Sequence, residues 1–285
     1  MVKIFRHLFN KFFSAILFAL SIGFLTPILY AGDVKPTVIV TTTAIESIVS
    51  EVAKDELVVI SLIPPDTCPG HFDLKPSDAL KLNSAELLLG HSFEKETFLK
   101  KVAGLIQKES ALRIVAISVE GSWMVPDTYI SAVDEITKIL KGQFPQQAGD
   151  FESNASRYKE QIQREAEYLK AGAQRLRLDK INVVASNMQK DLLVWFGVKV
   201  VAIYGRPDEI SVLELQRLIE QARAHDVRVV VDNLQSAGKA GKPIADELGI
   251  ARLTLSNFPR VYGGKVSYLD TLKENAQQLF SLAEK

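Results

Sequence analysis

Residues 150–178 read DFESNASRYKEQIQREAEYLKAGAQRLRL, and this stretch decides the architecture. It contains no proline, and Ala155, Ile162, Leu169 and Leu176 recur every seven residues, flanked by Phe151 and Tyr158. That pattern predicts one long amphipathic helix with a narrow apolar stripe. At 1.5 Å per residue such a helix would span roughly 43 Å, the length of a whole molecule. A stripe this narrow also suits a coiled coil. The chain has no second heptad segment to pair with, so the expectation is a rigid spine packed along the halves on either side. A helical spine restricts their relative motion more than a Gly/Ser linker would.

Outward from the spine, short β-rich runs alternate with helical patterns, the signature of parallel α/β units. Before it, strands are predicted at 37–41, 57–62, 86–89 and 113–117. The helices there are 44–54, one capped by Ser77, and 94–107. After it, strands are predicted at 182–185, 199–203, 228–231 and 252–255, with helices at 189–196, 211–224, 243–248 and 268–284. The predicted fold is therefore α/β with two lobes, each a mostly parallel four-stranded sheet flanked by helices, joined by one long rigid backbone helix. The lobes are read as 32–145 and 180–285, with the connecting helix in 146–179.

Composition narrows the function classes. With 47% hydrophobic and 24% charged residues the chain is an ordinary globular one, not a disordered one. Thirty-four bases balance 34 acids without any basic block, which argues against nucleic acid as a partner. A single cysteine excludes an internal disulfide and a Cys-rich structural zinc site.

The balance of charge is set by the first residues. Lys3, Arg6 and Lys11 precede an uncharged stretch, 12–32, that ends in Tyr30-Ala31-Gly32. A basic segment, an apolar segment and a small residue at a cleavage position are the parts of a secretory signal peptide, here 1–31. An uncleaved membrane anchor is the competing reading, because the stretch is just long enough to span a bilayer. Cleavage removes three bases and no acid, leaving 31 bases against 34 acids and a formal charge of −3. The expected product is an exported, soluble monomer, periplasmic or otherwise extracytoplasmic.

In open parallel sheets ligands bind outside the carboxyl ends of the strands. The first four predicted strands lead into Thr42-Thr43, into 64–73, into Gly90-His91-Ser92 and into 120–124. The second four lead into 186–189, 204–207, 232–235 and 256–259. The only cysteine and two of the three histidines beyond the leader fall at these ends, whereas His225 precedes a strand. Cys68-x-x-His71 has a chelate spacing, and thiolate with imidazole suits a borderline or soft metal. The candidate metal ligands are Cys68, His71, His91 and Asp232. Thr43, Asp73, Trp123, Met188, Gln189, Arg206, Asn233, Gln235 and Asn257 are expected to line the cleft.

These segments resemble the cluster A-I substrate-binding proteins, the zinc and manganese receptors of bacterial and archaeal ABC importers. The resemblance lies in Thr37-Val-Ile-Val-Thr-Thr-Thr, in Leu62-Ile-Pro-Pro leading to His71 and Pro76-Ser77-Asp78, and in Ala85-Glu-Leu-Leu-Leu-Gly90. It continues in Trp123-Met-Val-Pro126, the helix after 150, Phe196-Gly-Val-Lys-Val-Val-Ala-Ile203, Ile244-Ala-Asp-Glu-Leu-Gly249 and Tyr268-Leu-Asp. It covers nearly the whole chain beyond the leader. It implies two α/β lobes holding a metal ion, Zn2+ foremost, as cargo for an ABC transporter permease in the membrane. No enzymatic activity is implied.

The ligand positions depart from that family. An ungapped alignment puts Gly70, with His71 one place later, at the first ligand. Gly121 stands at the second, Ser186-Asn187 near the third, and Asn257 near the last. Two readings follow. The site is rebuilt from Cys68, His71, His91 and Asp232, or the cleft takes a metal chelate or small polar solute through Asn187, Gln189, Arg206, Asn233, Gln235 and Asn257. A reading of another class, a Cys/His-dependent hydrolase, would use Cys68 with His71 or His91. No G-x-S-x-G, H-E-x-x-H or phosphate loop accompanies them.

Overall fold

Val38, Ile39 and Val40 have no exposed surface, because helices cover both faces of the strand they form. Strands buried on both sides read as continuous apolar runs, which is why the sequence pattern found them. The computed structural model of the chain describes residues 35–283 apart from 66, 68, 107–109, 207–208 and 237–239. The expected signal peptide, Cys68 and the end of the last helix at 284 lie outside the described residues.

The first sheet contains β1 (Thr37–Val40), β2 (Val58–Ser61), β3 (Leu87–His91) and β4 (Arg113–Ile117), all parallel, in the order β2-β1-β3-β4. The helices α1 (Thr43–Ala53), α2 (Pro76–Ser84) and α3 (Lys100–Leu105) connect them. The second sheet repeats the plan. Strands β5 (Asn182–Ser186), β6 (Lys199–Tyr204), β7 (Val229–Asn233) and β8 (Ala251–Leu255) run parallel in the order β6-β5-β7-β8.

Between the sheets two helices run consecutively, α4 (Pro126–Gln143) and α5 (Ala148–Arg175). The second is the expected spine, 28 residues or about 42 Å. It buries Phe151, Ala155, Tyr158, Ile162, Leu169 and Ala173. The first was not foreseen, although Tyr129, Ala132, Val133, Ile136 and Leu140 mark a helical face and Pro126 sits at its start, where its missing N–H costs nothing. The spine packs against α4, α1 and the C-terminal helix.

The second half continues with α6 (Lys190–Trp195), α7 (Val212–Ala224), α8 (Gly241–Leu248) and α9 (Tyr268–Phe280). Ser211 caps α7 by accepting from the Glu214 N–H at 3.2 Å. Three further differences are local. Ser77 lies inside the first turn of α2, whose cap position is Lys75. The helix expected over 94–107 enters through a 3-10 turn and a π turn before α3 begins. A short hairpin, β9 (Arg260–Tyr262) and β10 (Lys265–Ser267), precedes α9, turning on Gly263 and Gly264 at φ 57° and 82°. Glycine takes those left-handed angles without steric cost.

One apolar core reaches both sheets. Val38, Val40, Leu87 and Leu89 of the first sheet and Val183, Ala185, Val229 and Val231 of the second join the spine residues in it. The alternate residues face outward into two separate cores, Ile39 and Leu88 in one, Val184 and Val230 in the other. Where the halves meet, the Tyr268 ring stacks on Tyr129 with centroids 3.7 Å apart. Its hydroxyl donates to the Met124 carbonyl at 3.0 Å, and its N–H donates to Ser47 Oγ at 3.2 Å.

Candidate functional site

The chain leaves β1 through Thr41, Thr42 and Thr43, all buried, and each hydroxyl has a different fate. Thr41 donates to Glu94 Oε2 at 2.7 Å, and Thr42 Oγ1 lies 2.8 Å from His91 Nε2. Thr43 Oγ1 is buried with no hydrogen-bond partner. Glu94 closes the turn after β3 by accepting from the His91 N–H at 2.7 Å, while its Oε1 is buried and unpartnered. Burial raises the Glu94 carboxyl above its ordinary value, against the lowering effect of those two donors.

His91 is therefore enclosed. Its ring stacks on Phe93 with centroids 4.9 Å apart and meets the edge of Trp123 at 4.4 Å. Burial holds the imidazole at about 3, so it is neutral throughout the physiological range. Trp123 is fixed by donating its indole N–H to the Val119 carbonyl at 3.2 Å.

This has a consequence for acid stability. The folded pKa lies below the ordinary 6.5, so the unfolded chain binds the proton first as pH falls. Stability is lost from about pH 6.5 downward, by roughly 2 kcal/mol at pH 5 at 1.36 kcal/mol per pH unit. Glu94 acts in the opposite sense: its raised value means the folded chain takes up that proton first. The readout is the difference between wild type and His91→Gln in chemical denaturation at pH 7 and pH 5. The wild type is expected to lose roughly 2 kcal/mol more than the variant, and equal losses would show that the ring titrates normally.

In the second half the strand ends are joined by side-chain amides. Gln189, wholly buried, donates to Asn233 Oδ1 at 2.9 Å and to the Leu255 carbonyl at 3.1 Å, and leaves its Oε1 unpartnered. Gln235 donates to Ser256 Oγ at 3.0 Å and accepts from the Asn257 N–H at 2.9 Å. It also reaches the other half, donating to the Pro65 carbonyl at 3.3 Å. The loop after β2 thus meets the strand ends of the second sheet, and the crevice between them has walls from both halves.

Asp232, expected as a metal ligand, is committed elsewhere. Along β7 it falls on the face of Val230, away from Asn233. Its Oδ1 accepts from the Tyr204 hydroxyl at 2.6 Å and the Gly241 N–H at 2.9 Å, and Oδ2 pairs with Arg252 at 3.1 Å. Burial, then the Asp232 charge, raises the Tyr204 hydroxyl well above its ordinary value. Tyr204, Arg252 and Glu94 were not singled out from sequence; the only signal for them was a polar group beside a strand end.

The remaining expected residues differ in exposure. Asp73 is exposed, and Met188, Arg206 and Asn257 are half-buried. Among the described residues, no three His, Cys, Asp or Glu side chains come together in a way that would hold an ion. Arg206 also reaches across the crevice: a β-carbon on Gly70 would lie 3.5 Å from both terminal guanidinium nitrogens.

A family model described as ZnuA, zinc-uptake complex component A, periplasmic, matches residues 38–281. The iron-binding protein YfeA of Yersinia pestis is 24% identical over 259 residues, 84% of this chain and 78% of that protein. A shorter match joins the chain to an uncharacterized protein of Rickettsia prowazekii, 32% identical over 68 residues, 24% of this chain and 23% of that one. A periplasmic metal-binding protein from Candidatus Liberibacter asiaticus, solved with cadmium bound, superposes with a TM-score of 0.74. It is 22% identical and covers 87% of this chain and 100% of its own.

Proposed function

Because the chain belongs to the periplasmic zinc-uptake complex component A family, we propose that it is an extracytoplasmic receptor for a transition metal. It captures the metal, zinc foremost, as cargo and delivers it to the permease of an ABC importer without chemical turnover. The observation that supports this most is the crevice itself, where Gln235 of one half meets Pro65 of the other at the carboxyl ends of parallel strands. In this reading the leader of 1–31 exports the chain, which acts as a monomer. The loop of 64–73 is the metal's entry face, with Cys68 and His71 as its ligands.

Thiolate and neutral imidazole must shed protons to bind metal, so uptake weakens on acidification. The test is elemental analysis of the chain isolated from the compartment to which it is exported, beside Cys68→Ala and His71→Ala. About one equivalent of metal, lost in both variants, is expected. Metal-free protein from metal-replete cells would overturn the reading. A second reading, metal bound as a chelate, is favoured by the position of Arg206.

A further inference from the structure

Arg206 stands two residues beyond the end of β6, and its side chain crosses to the opposite wall. The nitrogen end of the guanidinium lies beside Gly70, where both terminal nitrogens would be 3.5 Å from a β-carbon. The Arg206 backbone is anchored separately, by an N–H donated to Glu209 Oε2 at 3.0 Å. Among the described residues no carboxylate pairs with the guanidinium itself.

The nearby Glu209 carboxylate is engaged with the Arg206 backbone and not with the guanidinium. Asp232, the acid nearest in sequence to these strand ends, is turned toward Arg252 and Tyr204. The groups that do line the second wall, Gln189, Asn233, Gln235 and Ser256, are neutral amides and a hydroxyl. On the first wall His91 is neutral and Glu94 is biased toward its protonated form by burial. Among the described residues the guanidinium is thus a positive group facing amides, with the Glu209 carboxylate held on its backbone.

A guanidinium stays protonated at any physiological pH, so its charge does not vanish when a cation approaches. A bare dication is repelled there, and the repulsion is stronger in a part-buried site than in water. A planar fork of N–H donors instead matches a carboxylate, which it can hold through two parallel hydrogen bonds.

We propose that the cargo enters as an anionic complex, a transition-metal ion already wrapped by a small polycarboxylate, with Arg206 holding one carboxylate of the chelator. This rests on the metal-receptor reading above and narrows its substrate. The chelator brings its own oxygen donors, so the protein need not supply a full coordination sphere.

The test is isothermal titration of the purified, metal-stripped chain with zinc sulfate, with sodium citrate, and with a one-to-one zinc–citrate mixture. Zinc–citrate is expected to bind at least ten-fold more tightly than either component alone. Arg206→Gln should weaken zinc–citrate at least ten-fold, Arg206→Lys should recover part of the loss, and neither should shift the thermal midpoint, since the side chain is on a half-buried loop. Zinc alone binding as tightly as the mixture, with Arg206→Gln unchanged or tighter, would overturn the proposal in favour of a bare ion. Citrate alone binding as tightly would overturn it in favour of an organic anion. Binding of no metal form would remove the receptor reading as well.

Discussion

Asp232→Ala is expected to lower the unfolding free energy by about 3 kcal/mol, the low end for breaking a buried ion pair because Arg252 is partly exposed. The carboxylate is 2% exposed and satisfies three donors at once: Tyr204, the Gly241 N–H and Arg252. Taking it away strands the Gly241 N–H and removes an ion-pair partner from Arg252 beside the core of the second sheet. The Tyr204 hydroxyl keeps another acceptor, the Val231 carbonyl at 2.9 Å. For a domain of this size the loss corresponds to roughly 10 °C in thermal midpoint. Asp232→Asn, which retains an acceptor but not the charge, should lose less. Both variants should keep their metal once folded. If Asp232→Asn lost metal at unchanged stability, the carboxylate would be a ligand and not a strut.

Tyr268→Ala should cost a similar amount, about 3–5 kcal/mol, as large aromatic-to-alanine changes in cores do. The ring is wholly buried against Tyr129, and the residue ties α9 to α1 and to the loop before α4 through two hydrogen bonds. Tyr268→Phe keeps the stack and removes only the bond to the Met124 carbonyl, for a loss of about 1 kcal/mol. A double-mutant cycle with Tyr129→Ala should give a coupling of about 0.5–1.5 kcal/mol from the ring pair. Because the core around the spine reaches both sheets, denaturation should proceed in one transition monitored by any probe. A loss below 1 kcal/mol in Tyr268→Ala would mean the halves do not depend on this contact.

The strands were legible because burial on both faces leaves a continuous apolar run: Val38 to Val40, Leu87 to Leu89 and Val229 to Val231 are each fully enclosed. The spine was legible because its stripe persists for several heptads. Helix α4 was passed over because the Trp-Met-Val-Pro segment before it reads as a loop, and Thr137 and Gly142 weaken the helical pattern behind it. Strands β9 and β10 are three residues each, too short for alternation to register, although Gly263-Gly264 is a hairpin signal.

The site was less legible than the fold. A strand end tells which residues leave the sheet, but one position of parity decides the face on which a side chain emerges. That single step places Asp232 with Val230 and the Tyr204 hydroxyl, while its neighbour Asn233 meets Gln189. His91 is on the expected strand end, yet the rings of Phe93 and Trp123 close around it. Arg206 was placed in the cleft from its position after β6. Its contact with Gly70, 136 residues away in sequence, depends on how the two halves meet and leaves no local pattern.

The central claim is that cargo metal sits in the crevice between the two sets of strand ends. Anomalous diffraction at the zinc absorption edge, from crystals of the chain loaded with zinc–citrate, tests this most directly. The account predicts one strong peak between the turn at Gly70 and the strand ends of the second sheet, bridged to Arg206 by the chelator. A crevice without a peak, with zinc found only on the outer surface, would contradict it.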